Sequence, residues 1–193
     1  MNILLEATKE AIVTFGKLSA LQIPLERAAE ILRESLLGGS KLLVCGNGGS
    51  AADGADFSTE FACRFKQDRR PYPALNLSGG GSLLTAIGND YDFSELFARQ
   101  IRAFGRPGDL LVAITTSGNS KNILRALEES REMGLKSIAL LGKGGGAAAG
   151  LATVELLVPS DTTARIQEAQ KFLLHVLCEM LEPDLIKGPP KAG

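Results

Sequence analysis

Few side chains in this chain can move a proton, and their spacing narrows what they could do. Asp56 and Glu60 stand four residues apart, so on a helix they share one face. A solvated acidic face is the plain reading of such a pair. Glu60, however, falls between Phe57 and Phe61. A carboxyl partly withdrawn from water has a raised pKa, which suits a general base. His175 is the only histidine among 193 residues. It lies in the apolar run Lys171-Phe172-Leu173-Leu174-His175-Val176-Leu177, where it serves either as a core residue or as a second acid–base group. Gln167 lies two turns earlier, within Arg165-Ile166-Gln167-Glu168.

Two loops could hold an anion. Gly46-Asn47-Gly48-Gly49-Ser50 follows the apolar run 42–45 and precedes the small residues 51–55. This reads as a buried strand, a glycine turn and a helix with Ser50 at its N-cap. Free N–H groups at a helix start attract anions. Glycine at a strand-to-helix turn also has a purely steric use, and the stretch is neither G-x-G-x-x-G nor a Walker loop with its lysine. The second loop, Thr115-Thr116-Ser117-Gly118-Asn119-Ser120, follows the apolar run 110–114. It sets four hydroxyls around a glycine, with Lys121 the one nearby cation. That suits a hydrogen-bonding cradle for a phosphate monoester better than a site for a nucleoside triphosphate with Mg²⁺. An ordinary Ser/Thr-capped helix is the alternative.

The elements that position these groups follow from periodicity. Residues 3–17 and a segment opening at Pro24 and closing at Gly38-Gly39 read as two leading helices. They precede the first strand, so they are expected to pack outside the α/β core or against another subunit. Strands are expected at 41–45, 74–77, 110–114, 137–141 and 154–158. Helices are expected at about 50–66, 83–87, 93–104, 120–133 and 163–181, with Phe57, Phe61 and Phe65 forming a core stripe and Gly88-Asn89-Asp90 breaking the short helix. Residues 142–150 read as a loop with a weak helical turn and 187–193 as a frayed tail. Alternating strands and helices predict an α/β fold, a five-stranded parallel sheet in three αβα layers. Both anion loops then sit at carboxyl ends of strands, converging on one crevice. The whole of 1–193 reads as a single domain, with leading helices at 1–38 and an α/β core at 39–182.

Composition bounds the function. Twenty-one Lys and Arg against 22 Asp and Glu leave a formal charge of −1, which gives no pull toward nucleic acid or a membrane surface. No apolar run is long enough to span a bilayer, and no signal peptide is visible. Cys45, Cys63 and Cys178 form no C-x-x-C pair and read as reduced thiols, which argues for a cytoplasmic protein.

Cys45-Gly46-Asn47-Gly48-Gly49-Ser50, Ala86-Ile87-Gly88-Asn89-Asp90, Thr116-Ser117-Gly118-Asn119-Ser120 and Ala164-Arg165-Ile166-Gln167-Glu168, in that order, resemble the sugar isomerase (SIS) domain family. The likeness is strongest to its branch that isomerises phosphorylated heptoses and covers almost the whole chain. The resemblance implies a cytoplasmic homotetramer with active sites between subunits. It also implies conversion of sedoheptulose 7-phosphate to D-glycero-D-manno-heptose 7-phosphate, at the entry to bacterial heptose (lipopolysaccharide precursor) synthesis. It puts phosphate-holding hydroxyls at Ser50, Ser117 and Ser120, with Thr115 and Thr116 adjacent. Substrate contacts fall on Asn47, Gly48, Gly49, Asn89, Asp90 and Gln167, and catalysis on Glu60 and His175. It further implies zinc held at positions 56, 60, 167 and 175. Here Asp56 stands where the family usually has His, a harder and more anionic donor. Gln170 likewise replaces a common His, and Ser78-Gly79-Gly80-Gly81-Ser82 is richer in glycine than expected. Relatives that associate with the replication initiator DnaA without catalysis, and phosphosugar-sensing modules, would share the fold. The presence of both Glu60 and His175 favours the enzyme.

Gln167 and His175 are eight residues apart on one expected helix. That is roughly 12 Å along the axis, with directions differing by about 80°. The simplest way for both to serve one site is for Glu60 to meet at least one of them across a subunit interface.

Overall fold

The computed structural model describes residues 2–189. In chain order the elements are α1 (Ile3–Gly16), α2 (Gln22–Leu37), β1 (Leu42–Gly46), α3 (Gly49–Ala62), β2 (Ala74–Asn76), α4 (Gly81–Asp90), α5 (Ala98–Phe104), β3 (Leu110–Ile114), α6 (Lys121–Glu132), β4 (Lys136–Leu141), β5 (Val154–Leu157) and α7 (Thr163–Lys187). Short 3₁₀ turns occupy Leu18–Leu21 and Phe93–Glu95, and the stretch Lys143–Ala148 is kinked, with Gly144, Gly145 and Gly146 at positive φ.

The five strands form one parallel sheet in the order β2-β1-β3-β4-β5. The period-two alternation of a strand divides its side chains between two cores. Leu42 and Val44 of β1, with Leu110, Val112 and Ile114 of β3, meet α2, α3 and α7. Leu43 and Cys45, with Leu111 and Ala113, meet α4, α5 and α6. Burial on both faces explains why these strands read as continuous apolar runs. The chain moves out from β1 to the edge at β2 and then crosses back to β3. The loops after β1 and β3 therefore flank the point where strand order reverses, the usual ligand crevice of an open α/β sheet.

Several expectations are corrected. α2 is no appendage: Ala28, Ile31 and Leu32 are at most 1% exposed and pack in the core shared with α7. It begins two residues before Pro24, which sits harmlessly in the first turn, where its missing N–H has no intrahelical partner to lose. Only α1 stays peripheral. It touches α7 through Phe15 and Phe172, ring centroids 5.2 Å apart, and leaves Ile3, Leu4, Ile12 and Val13 exposed. α3 stops at Ala62, so Phe65 lies beyond the helix. The Arg69 guanidinium donates to the carbonyls of Glu60 (2.5 Å) and Phe61 (3.1 Å), giving the last turn the partners a continued helix would have supplied. Gly88, Asn89 and Asp90 complete α4 rather than break it. The segment 93–104 splits into a 3₁₀ turn and α5. α7 runs on through Pro183 to Lys187. Of the expected tail, Lys187 is helical, Gly188 leaves the helix at φ +76, and residues 190–193 lie outside the described residues.

Leu32 faces the shared core with no exposure. Leu32→Ala should cost about 2–5 kcal/mol, measured by urea unfolding. A loss under about 1 kcal/mol would return α2 to the periphery.

Candidate active site

α3 and α7 both start at the carboxyl edge of the sheet, so they descend the same face side by side and in the same direction. Contacts between them advance in step. Gly49 faces Gln167, so closely that a Cβ on Gly49 would stand 2.1 Å from Gln167 Nε2. Lower down, Asp56 pairs with Lys171, and His175 Nε2 lies 3.8 Å from Asp56 Oδ2. Past the end of α3, Lys66 Nζ meets Glu179 at 2.6 Å and the Gln67 N–H donates to Glu182 at 3.0 Å.

This register assembles the acid–base group. One ligand-capable atom from each of Asp56, Glu60 and His175 lies within 4.8 Å of the others, and all three residues are half-buried. Of the two partners expected to reach Glu60 across an interface, His175 reaches it within one chain, because parallel helices join them. Gln167 does not join them. It lies two turns higher on α7, beside Gly49, so the four positions implied for zinc are divided three and one.

The electrostatics match the packing. Burial raises the Glu60 carboxyl above its ordinary pKa, and the Asp56 charge adds to this, while His175 and Lys171 oppose it. Asp56 is lowered, chiefly by its hydrogen bond from Lys171. Asp53, 3.8 Å from Lys171 Nζ, is raised by burial.

The two loops lie at the sheet edge above. Asn47 and Asn122 exchange two side-chain amide hydrogen bonds of 2.9 and 2.8 Å, tying the loop after β1 to the first turn of α6. The Asn47 amide is thus occupied by protein. Gly48, at φ +54, takes the N-cap position expected of Ser50. Ser50 is the second helical residue and is buried. In the loop after β3, Thr115 is buried and its hydroxyl accepts from the Gly118 N–H at 3.2 Å. The Ser117 hydroxyl accepts from the Asn119 N–H at 3.2 Å. Thr116, Ser117 and Ser120 are half-buried. Ser120 precedes α6 with no side-chain capping bond, so its hydroxyl is uncommitted. Gly118 has φ +64, and a Cβ there would stand 1.8 Å from the Gly145 carbonyl oxygen. Only glycine fits that combination.

Asn89 and Asp90 lie elsewhere. They close α4, exposed and hydrogen-bonded to each other at 2.8 Å. α4 packs on the sheet face opposite α3 and α7, so one chain does not bring this pair to Glu60.

Three residues near the site escaped the sequence reading: Lys171, Arg69 and Asn122. Lys171 is one turn before His175, and that spacing could have flagged it. The buried Gln170 donates to the Thr115 carbonyl at 3.1 Å, bracing the second loop from α7.

No helix of the described residues is long and apolar enough to cross a membrane. Cys45, Cys63 and Cys178 are all free, with only Cys63 exposed.

Because the folded pKa of Glu60 is raised, its proton favours the fold. That contribution is complete below the ordinary glutamate pKa and lost as pH rises through the folded value. Glu60→Gln should therefore unfold at a higher temperature than wild type at pH 7 and match it below about pH 4. Thermal melts at both pH values read this, and a variant less stable at pH 7 would contradict the assigned strain.

The SIS domain family model matches residues 9–142. A phosphoheptose isomerase of Shewanella loihica is 48% identical over 176 residues, covering 90% of this chain and 89% of that protein. Among solved structures, a phosphoheptose isomerase from Francisella tularensis superposes with a TM-score of 0.90 at 38% identity, covering 93% of this chain and 96% of that one. One from Neisseria gonorrhoeae gives 0.88 at 39%, covering 93% and 97%.

Proposed function

The chain belongs to the SIS domain family, and from that premise we infer that it is a phosphoheptose isomerase, converting sedoheptulose 7-phosphate to D-glycero-D-manno-heptose 7-phosphate for bacterial heptose synthesis. The observation that carries the reading is the approach of Glu60 and His175 within one acid–base group, in a chain nearly half identical to phosphoheptose isomerases. Aldose–ketose isomerisation needs one proton moved between neighbouring carbons and one between their oxygens. Glu60, kept basic by burial, removes the carbon proton and returns it to the adjacent carbon of a cis-enediol. His175, close enough to share that space, exchanges the oxygen proton. Two such groups each contribute about 10²–10⁴-fold.

Ser117, Ser120, Thr116 and the start of α6 hold the phosphate away from the reacting carbons. That binding energy positions the substrate. Thr115 and Ser50 support the loops from beneath. Gly48, Gly49, Asn89, Asp90 and Gln167 face the sugar hydroxyls, while Asn47 braces the first loop through Asn122.

Distance supports a site shared between chains. Gly49, beside the anion loops, precedes Glu60 by eleven residues on α3, roughly 16 Å of helix. That is farther than an extended heptose reaches from phosphate to its first carbon. The cradle of one chain therefore works with Glu60 and His175 of a neighbour, in a homotetramer to which the exposed apolar face of α1 contributes. The whole chain acts as one domain in the cytoplasm, with no membrane or nucleic-acid partner. Asp56, Glu60 and His175 could hold a metal ion. Zinc is the metal the resemblance implies, and its fit turns on the neighbouring Lys171.

In a coupled assay with sedoheptulose 7-phosphate, Glu60→Gln should lower kcat by about 10²–10⁴-fold. Near-native turnover would remove it as the base. Ser117→Ala with Ser120→Ala should raise KM by roughly 10-fold or more while moving kcat less. Unchanged phosphosugar affinity would relocate the cradle.

Reassembled mixtures test the shared site. Glu60→Gln subunits mixed with the Ser117→Ala, Ser120→Ala double variant should regain turnover at the wild-type KM, because intact halves then meet across an interface. Glu60→Gln mixed with His175→Ala should regain none, since those residues act from the same chain. The opposite pattern would reject this assembly.

A further inference from the structure

The ammonium of Lys171 sits inside the acidic group that a dication would need. It donates to Asp56 Oδ2 and lies 3.8 Å from Asp53 Oδ1. Its side chain is only 28% exposed. It borders the groove of about 380 Å³ between α3 and α7, lined by Gly49, Ala52, Asp53, Gln167, Glu168 and Lys171. A metal on Asp56, Glu60 and His175 would have to displace this ammonium from Asp56 or sit beside it at strong repulsion. Gln167, the implied fourth donor, is roughly 12 Å along α7 from His175 and could join this group only from a neighbouring chain. The donors in one chain are thus two carboxylates and one imidazole, with one carboxylate already neutralised. They fit an internal cation better than zinc.

We propose that Lys171 is the resident cation of this site, balancing Asp56 and Asp53 where the resemblance implies a metal, and that the protein does not retain zinc. A lysine on a helix of the fold is always present, costs no metal supply and leaves the Glu60 oxygens free to accept a proton. Lys171 is a positioning residue here: it acts on Asp56 and, through the field of that carboxylate, on Glu60. The proposal rests on the isomerase reading only where turnover is concerned, because zinc affinity can be read on the protein alone.

Zn²⁺ is titrated calorimetrically into the full-length protein, and metal content is measured after dialysis against a weak chelator. Wild type should keep far less than one zinc per chain. Lys171→Met frees Asp56 and should bind zinc about 10-fold to 100-fold more tightly. Lys171→Arg keeps the charge and should stay at the wild-type level. Thermal melts identify any variant that fails to fold, and Lys171→Gln then replaces it. Wild type holding one zinc per chain through dialysis, or equal affinities for the Met and Arg variants, would overturn the proposal. In the turnover arm, chelator should leave the wild-type rate unchanged, and a rate abolished by chelator and restored by Zn²⁺ would also overturn it. Absence of any turnover on sedoheptulose 7-phosphate would instead refute the isomerase reading, with the zinc titrations still deciding the role of Lys171.

Discussion

The parallel direction of α3 and α7 is the constraint on which the site depends. Every helix that follows a strand of this sheet starts at the same edge, so two such helices on one face cannot run antiparallel. Residues at equal depth below the edge become neighbours. Gly49 and Gln167 meet at the top, Asp56 and Lys171 below them, and Glu60 and His175 in the turn after that. The same rule fixes a vertical separation between the anion loops at the edge and the acid–base group lower down.

The lower end of α3 would fray if its last carbonyls were left to solvent. Arg69, with a side chain only 2% exposed, answers the carbonyls of Glu60 and Phe61, and Glu182 of α7 balances its charge at 3.5 Å. A buried guanidinium without a partner carboxylate would be costly, so the α3 terminus and α7 are coupled at this point. Phe57 and Phe61, packed edge to face with centroids 5.0 Å apart, hold the other side of the same turn in the core. Glu60 is thereby carried on a rigid backbone while its own carboxyl stays half-buried and raised in pKa. The local charge strain falls on the residue proposed as the base.

At the sheet edge, rigidity comes from hydrogen bonds between loops rather than from packing. The Asn47–Asn122 pair crosses the strand-order reversal, Gln170 reaches Thr115 from α7, and Gly118 nests against Gly145. Some hydroxyls that the sequence offers for phosphate are spent on this scaffold. Thr115 and Ser50 are buried, which leaves Thr116, Ser117 and Ser120 as the half-buried hydroxyls of these loops.

The local pattern of the sequence determined the order of elements, the strands to within a residue or two, and the two glycine-bearing loops, because apolar periodicity and turn chemistry act over a few residues. It also placed Glu60 on a helix between two core aromatics. Helix ends were misjudged where a distant side chain supplied the cap, as Arg69 does for α3, or where a helix tolerated an internal breaker, as α7 does at Pro183. The partnership of Glu60 with His175, and the Lys171 contact with Asp56 across 115 residues of chain, could not be read from spacing. They depend on which strands are neighbours and on which sheet face each crossover returns. Only the closed sheet decides that, since a helix carries no record in its own residues of the helix beside which it will lie.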